Sequence, residues 1–261
     1  MLKTVLATRF IKRMTNGRTL PCLIECEDGD GKALELVVKY SGKLFENEKN
    51  LAIEAIVAML AADLGLPVAE PFVVKLEPCF IELVPEIEVK QAMEKSCIFA
   101  FGLAHVKHYS AWTNGQMIPK ELTKTASEVA VFDQIVRNTD RRPENPNCLF
   151  LDTNVLIFDH ELTFAQILFW VEPWKENGLS VLSSREYHIF AGPYFEQAPL
   201  DFERFILAWE AISDSRFEEY KNALPPSWVY DETEIDKIMT YLKQVRTNIR
   251  AITSNALEVL R

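Results

Sequence analysis

Long hydrophobic runs are missing from this sequence. Nothing in it approaches the roughly 18 uninterrupted apolar residues that a membrane-crossing helix needs, so no membrane span is expected. The opening stretch, MLKTVLATRFIKRM, has neither a long apolar segment nor a small-residue cleavage site, and a secretory leader is not expected there. Positive charge is also short, with 28 Lys plus Arg against 38 Asp plus Glu and a net charge of −10. Phosphate backbones are bound by Lys and Arg that displace counterions, so non-specific nucleic-acid binding is not expected. Cysteine is sparse and odd in number: Cys22, Cys26, Cys79, Cys97 and Cys148. A scattered odd set suits a reducing cytoplasm better than a disulfide framework. Cys22 and Cys26 alternate with apolar residues and have no histidine nearby, so they read as small buried hydrophobes. No internal repeat and no low-complexity tract is present.

What remains is an ordinary globular composition, 48% hydrophobic and 25% charged over 261 residues. That length accommodates one large domain or two small ones. Residues 1–43 read as a β meander with turns at Asn16-Gly17 and Asp28–Gly31. In ALELVVKY, Leu34, Leu36 and Val38 share one face, and Glu35, Val37 and Lys39 share the other. Ile53, Val57, Leu60 and Leu64 then recur at helical spacing, with Glu54 beside the stripe and a stop at Gly65. Pro71–Leu76 and Cys79–Val84 read as strands, and Pro85-Glu86 as a boundary. Beyond it the pattern turns helical: Glu121–Asn138, Asp201–Leu224, and Asp231–Leu260, the last with Asp231 and Glu234 in capping-box spacing.

Residues 133–164, DQIVRNTDRRPENPNCLFLDTNVLIFDHELTF, carry the chemistry. Asp140 and Asn145 are five residues apart, and Asp140 and Asp159 nineteen apart across an expected hairpin turning at Asp152–Asn154. A hairpin returns its second end to the first, so Asp159 is expected beside Asp140 and Asn145. Oxygen donors gathered in this way suit Mg²⁺, which binds one or two carboxylates together with substrate phosphates. A further carboxylate can then orient or deprotonate a hydroxyl, which is the equipment of phosphoryl transfer from ATP. In the same scheme a strand lysine holds phosphates and a helical glutamate holds the lysine, the parts available in Lys39 and Glu54. Asn147 reads equally as a ligand or a turn residue, and Arg141 as a partner of a carboxylate or a substrate contact.

Taken in order, the strand ending V-V-K at Lys39, the acid at Glu54, L-G-L-P-V at Leu64–Val68, N-x-D-R-x-x-x-N-P-N-x-L at Asn138–Leu149 and F-D-H at Phe158–His160 resemble the HipA-like serine/threonine kinases. They also resemble the related phosphatidylinositol-kinase-like group. The resemblance runs over roughly residues 10–165. It implies an α+β, two-lobed protein-kinase-like fold. Residues 1–86 would form a small antiparallel-sheet N-lobe with one helix, and residues 87–261 a mostly helical C-lobe.

The same resemblance implies ATP and Mg as cofactors. Lys39 would bind the ATP phosphates and Glu54 would pair with it. Gly17, Arg18 and Thr19 would lie in the loop over the phosphates, Val37 would pack on adenine, and the hinge would fall within Ile81–Glu86. Asp140 would be the catalytic base, and Asn145 and Asp159 would hold the metal. The implied activity is transfer of the γ-phosphoryl group to a Ser or Thr hydroxyl of a protein substrate, with Phe99–Gly115 and the helical tail shaping the acceptor site. A small-molecule or lipid acceptor uses the same core. The single glycine of the phosphate loop motivates an alternative, a pseudokinase acting as a binding module. An antitoxin-like partner stays open.

Overall fold

Alternating side chains along Lys3–Arg13, Cys22–Glu27 and Ala33–Lys39 build one wall of a closed barrel. The computed structural model of the chain describes residues 2–15, 19–113, 115–164, 171–184, 186–191, 195, 199–229 and 231–260. The chain divides into two compact units. The first comprises Met1–Met59, Ala69–Lys107 and Glu219–Ile235, so it continues past residue 86 and takes back a later segment. Its strands are β1 (Lys3–Arg13), β2 (Cys22–Glu27), β3 (Ala33–Lys39), β4 (Pro71–Lys75) and β5 (Phe99–Ala104), in the closed order β1-β2-β3-β5-β4. Neighbours are antiparallel except where Lys3–Leu6 of β1 runs parallel to Phe72–Lys75 of β4 and closes the ring.

The β2–β3 turn is made as its residues dictate. Asp28 Oδ1 accepts from the amides of Asp30 at 3.0 Å and Lys32 at 2.9 Å, and Gly31 supplies a φ of +78°. The barrel is filled by Val5, Cys22, Ile24, Cys26, Leu36, Val38, Phe72 and Val74, which are buried. Burial pushes the Cys22 and Cys26 thiols up to about 12, which makes them the small hydrophobes expected. Gly102 is tight by necessity: a Cβ there would meet Val74 Cγ2 at 2.8 Å and Leu36 Cδ1 at 3.2 Å.

Two expectations for this unit are corrected. Cys79–Val84 is not a strand; Pro78–Glu82 is the short helix α2, followed by α3 (Ile87–Glu94). Proline suits a first helical turn, since its missing N–H would have no partner there. The strand that flanks β3 is β5, with Lys39 opposite Phe101. The capping box is only half formed. Asp231 Oδ1 accepts from the Thr233 amide at 2.8 Å, whereas the Glu234 carboxylate pairs with Lys49 at 3.0 Å.

The second unit comprises Leu60–Val68, His108–Glu218 and Asp236–Arg261. The helix α1 (Glu48–Asp63) delivers its last turn here and ends in a Schellman motif. Leu66 N donates to Ala61 O at 2.9 Å, Gly65 N to Ala62 O at 3.0 Å, and Gly65 takes φ +65°. Arg204 Nη1 donates to Leu64 O at 2.8 Å, and its guanidinium pairs with Glu128. The expected Glu121–Asn138 helix is α4 (Thr123–Ile135), entered through a 3-10 turn at Lys120–Leu122. A small antiparallel sheet joins β6 (Ser110–Ala111), β7 (Cys148–Leu151) and β8 (Asn154–Ile157), with Asp152 at the tip of the β7–β8 hairpin at φ +54°. Asp201–Leu224, expected as one segment, is two helices, α5 (Glu203–Ala211) and α6 (Asp214–Asn222), and α7 (Glu232–Val259) follows. Among the described residues, no helix is long and apolar enough to cross a membrane.

Candidate active site

In the first unit, β3 ends on Lys39, and the β alternation turns this side chain away from the barrel filling. Its Nζ donates to Glu54 Oε2 of α1 at 3.1 Å, with the two side chains only 11% and 1% exposed. A buried ammonium needs such a partner, because an unpaired charge loses its hydration for nothing in return. Nearby acids are engaged elsewhere: Glu48 Oε1 accepts from Ser41 Oγ at 2.8 Å, and Glu46 pairs with Lys49 at 3.3 Å. Val37 sits two residues before Lys39, opposite Leu103 of β5, and is half-buried. Thr19 is half-buried as well; Gly17 and Arg18 lie outside the described residues.

In the second unit, α4 hands the chain to a loop that it also holds. Asn138 N donates to Asp133 O at 2.8 Å, and Asn138 Oδ1 accepts from the Asp140 amide at 3.1 Å. Arg142 and Asn145 exchange backbone bonds at 3.2 and 3.0 Å, closing a tight turn. That turn brings Asn145 Nδ2 to Asp140 Oδ2 at 2.7 Å. Asn147 Nδ2 reaches the same oxygen at 3.3 Å. With both amide NH₂ groups aimed at Asp140, the amide oxygen of Asn145 is the atom that can face a cation.

Asp159 arrives at the end of β8. Phe158 N donates to Asn147 O at 3.2 Å, which ties this strand end to the loop, and Asp159 itself takes φ +63°. A left-handed aspartate is a strained choice of the kind concentrated at functional positions. Asp140 is pushed above the ordinary carboxylate range, first by burial and then by the charge of Asp159; Arg142, Asn147 and Asn145 work against the rise. Carboxylate oxygens of Asp159 and Glu161 lie within 4.8 Å of each other. Two carboxylates and an amide oxygen are the hard-donor chemistry that suits Mg²⁺.

Arg141 resolves as a structural cation rather than a substrate contact. It is fully buried and uses its whole fork. Nε donates to Asp133 Oδ2 at 2.5 Å and Nη2 to Asp133 Oδ1 at 3.3 Å. Nη1 donates to Asn147 O, and to Phe158 O at 3.3 Å. Nη2 also meets His160 Nε2 at 2.9 Å. One guanidinium therefore joins α4, the Asp140 loop and both neighbours of Asp159. Burial opposes ionisation of Asp133, but Arg141 and His188 outweigh it and hold its carboxyl well below the usual range.

Sequence reading missed Asp133, Glu161 and His188. Asp133 left one signal, an acid between the buried Phe132 and Ile135 of α4. His188 left none, since it meets Asp133 from 55 residues away.

The sequence model of the HipA-like kinase family matches residues 7–257. The chain belongs to the HipA-like kinases. Among solved structures, this HipA-like kinase is similar to the Helicobacter pylori proinflammatory kinase CtkA, at 14% identity and a TM-score of 0.56, with 99% of each chain covered. That likeness supports a kinase-like, mixed α+β fold. No curated protein matches the chain.

Proposed function

We propose that this HipA-like kinase is an ATP- and Mg²⁺-dependent phosphotransferase acting on a Ser or Thr hydroxyl of a protein. The observation that carries the reading is the meeting of Asn145 and Asn147 on Asp140 Oδ2, with Asp159 close enough to raise the same carboxyl. In this reading Lys39, held by Glu54, anchors the α- and β-phosphates. Asn145 and Asp159 hold Mg²⁺, with Glu161 as a further carboxylate; when bound, the ion neutralises phosphate charge. Asp140 Oδ accepts the proton of the acceptor hydroxyl as that oxygen attacks the γ-phosphorus in line. The bond to the β-γ bridging oxygen breaks, and ADP leaves with its electrons. A carboxyl whose proton affinity is raised by burial and a neighbouring charge is better suited to that role than an ordinary aspartate.

Ile81–Glu86 is no longer the natural place for the adenine edge, because it holds the end of α2. We assign that role to the chain leaving β5, the strand paired with β3. The pseudokinase reading keeps one specific support, the single glycine of the phosphate loop. Thermal melting of the purified protein with ATP, with and without Mg²⁺, followed by a phosphate-transfer assay, separates the two. Mg²⁺-dependent stabilisation together with transfer supports the phosphotransferase. Binding without turnover supports the binding module, and no binding contradicts both.

A further inference from the structure

We propose that His188 is a positioning residue for phosphotransfer, holding the Asp140 loop in place through Asp133 and Arg141. The role in turnover rests on the phosphotransferase reading; the clamp itself does not.

The Asp133 carboxylate is saturated by four donors. Oδ2 takes Arg141 Nε at 2.5 Å and His188 Nε2 at 2.9 Å; Oδ1 takes Asn138 Nδ2 at 2.8 Å and Arg141 Nη2 at 3.3 Å. Two of those donors, Asn138 and Arg141, flank Asp140 in the catalytic loop. Asp133 Oδ2 can only accept, so His188 Nε2 carries the hydrogen given to it, while Nδ1 lies 3.0 Å from Phe190 N and 3.1 Å from Phe190 O. The imidazole thus supplies the last donor to the buried carboxylate.

A second, independent tie comes from the backbone, where Ile189 N donates to Arg141 O at 3.2 Å. A third comes from packing. The fully buried Phe190 meets Trp112 edge-on, with centroids 5.3 Å apart, and the Trp112 amide donates to Cys148 O of β7 at 2.9 Å. The tripeptide 188–190 is therefore locked to the loop by side chain, backbone and ring. His188 touches none of the proposed reacting or metal-binding groups. It acts by fixing where the carboxylate that holds Arg141 and Asn138 can sit, and misplacing a reacting group by about 1 Å costs on the order of a hundredfold.

Two variants separate the contacts. His188→Asn keeps a polar group at the δ position beside Phe190 but cannot reach Asp133. His188→Gln puts an N–H donor back at the ε position. In the full chain without ligand, hydrogen–deuterium exchange of amides 138–147 in His188→Asn should be about tenfold faster than in wild type, with β1–β5 unchanged. With labelled ATP, Mg²⁺ and casein as the acceptor probe, or with self-labelling, its kcat should fall about tenfold or more while KM for ATP stays within about twofold. His188→Gln should recover most of both. If His188→Asn fails to fold, His188→Gln decides alone: wild-type exchange and kcat support the clamp, and loss of either contradicts it. The proposal is overturned if His188→Asn exchanges like wild type, or if Gln behaves no better than Asn. Should wild type transfer no phosphate, the phosphotransferase reading fails, and the exchange result still decides the clamp.

Discussion

Arg141 Nε donates to Asp133 Oδ2 at 2.5 Å, and neither side chain is exposed to solvent. Removing one partner of a buried, hydrogen-bonded pair strands the other charge, which costs about 3–5 kcal/mol. Asp133→Asn should therefore lower the denaturation free energy by about that amount, measured by urea unfolding at neutral pH. The sign of the pH dependence follows from the depressed carboxyl. Its contribution is fully present above the unfolded aspartate value of about 3.9 and is lost as pH falls through the lower folded value. The gap between wild type and Asp133→Asn should thus narrow below about pH 4. A gap that widens there contradicts the pairing.

Lys39 and Glu54 should behave as one unit. Lys39→Met and Glu54→Gln are each expected to weaken phosphotransfer, and the double variant to lose less than the two losses combined. Groups in direct contact show coupling of about 0.5–3 kcal/mol, and this pair, nearly buried at 3.1 Å, belongs at the upper end. The cycle is read on kcat/KM for ATP. Strict additivity contradicts the pairing.

Asp140 predicts a shifted pH profile. Burial and the charge of Asp159 raise its proton affinity, so the acid limb of kcat/KM should lie above the ordinary aspartate range, with activity rising as the carboxyl ionises. Arg142, 3.7 Å away and half exposed, pulls the other way. Arg142→Ala should move the acid limb to still higher pH, as measured by a pH–rate series at constant ionic strength. A downward move contradicts the assignment of Asp140 as the titrating base.

Gly102→Ala tests the barrel filling. Its Cβ would come within 2.8 Å of Val74 Cγ2, and overpacking of a tight core costs about 1–3 kcal/mol. The readout is the unfolding free energy.

Much of this was legible in the sequence, for identifiable reasons. β1–β3 and the β2–β3 turn follow from alternation and from Asp28–Gly31; α1 and its stop follow from helical spacing and Gly65. The spacing of Asp140, Asn145 and Asp159 was readable because a hairpin returns its ends. β5 was not, because Ala100, Phe101 and Gly102 are all buried and the alternation that marks a half-exposed strand is absent. α2 was misread because a short apolar run such as CFIELV fits either period. The Asp133–His188 contact depends on tertiary folding, and no local pattern announces it.

The central claim is that Asp140, Asn145 and Asp159 form a working phosphotransfer centre. The most direct measurement is transfer of label from γ-labelled ATP, with and without Mg²⁺, by wild type and by Asp159→Ala at matched folding. The account predicts Mg²⁺-dependent labelling of an acceptor by wild type and none by Asp159→Ala. Undiminished labelling by Asp159→Ala would contradict it.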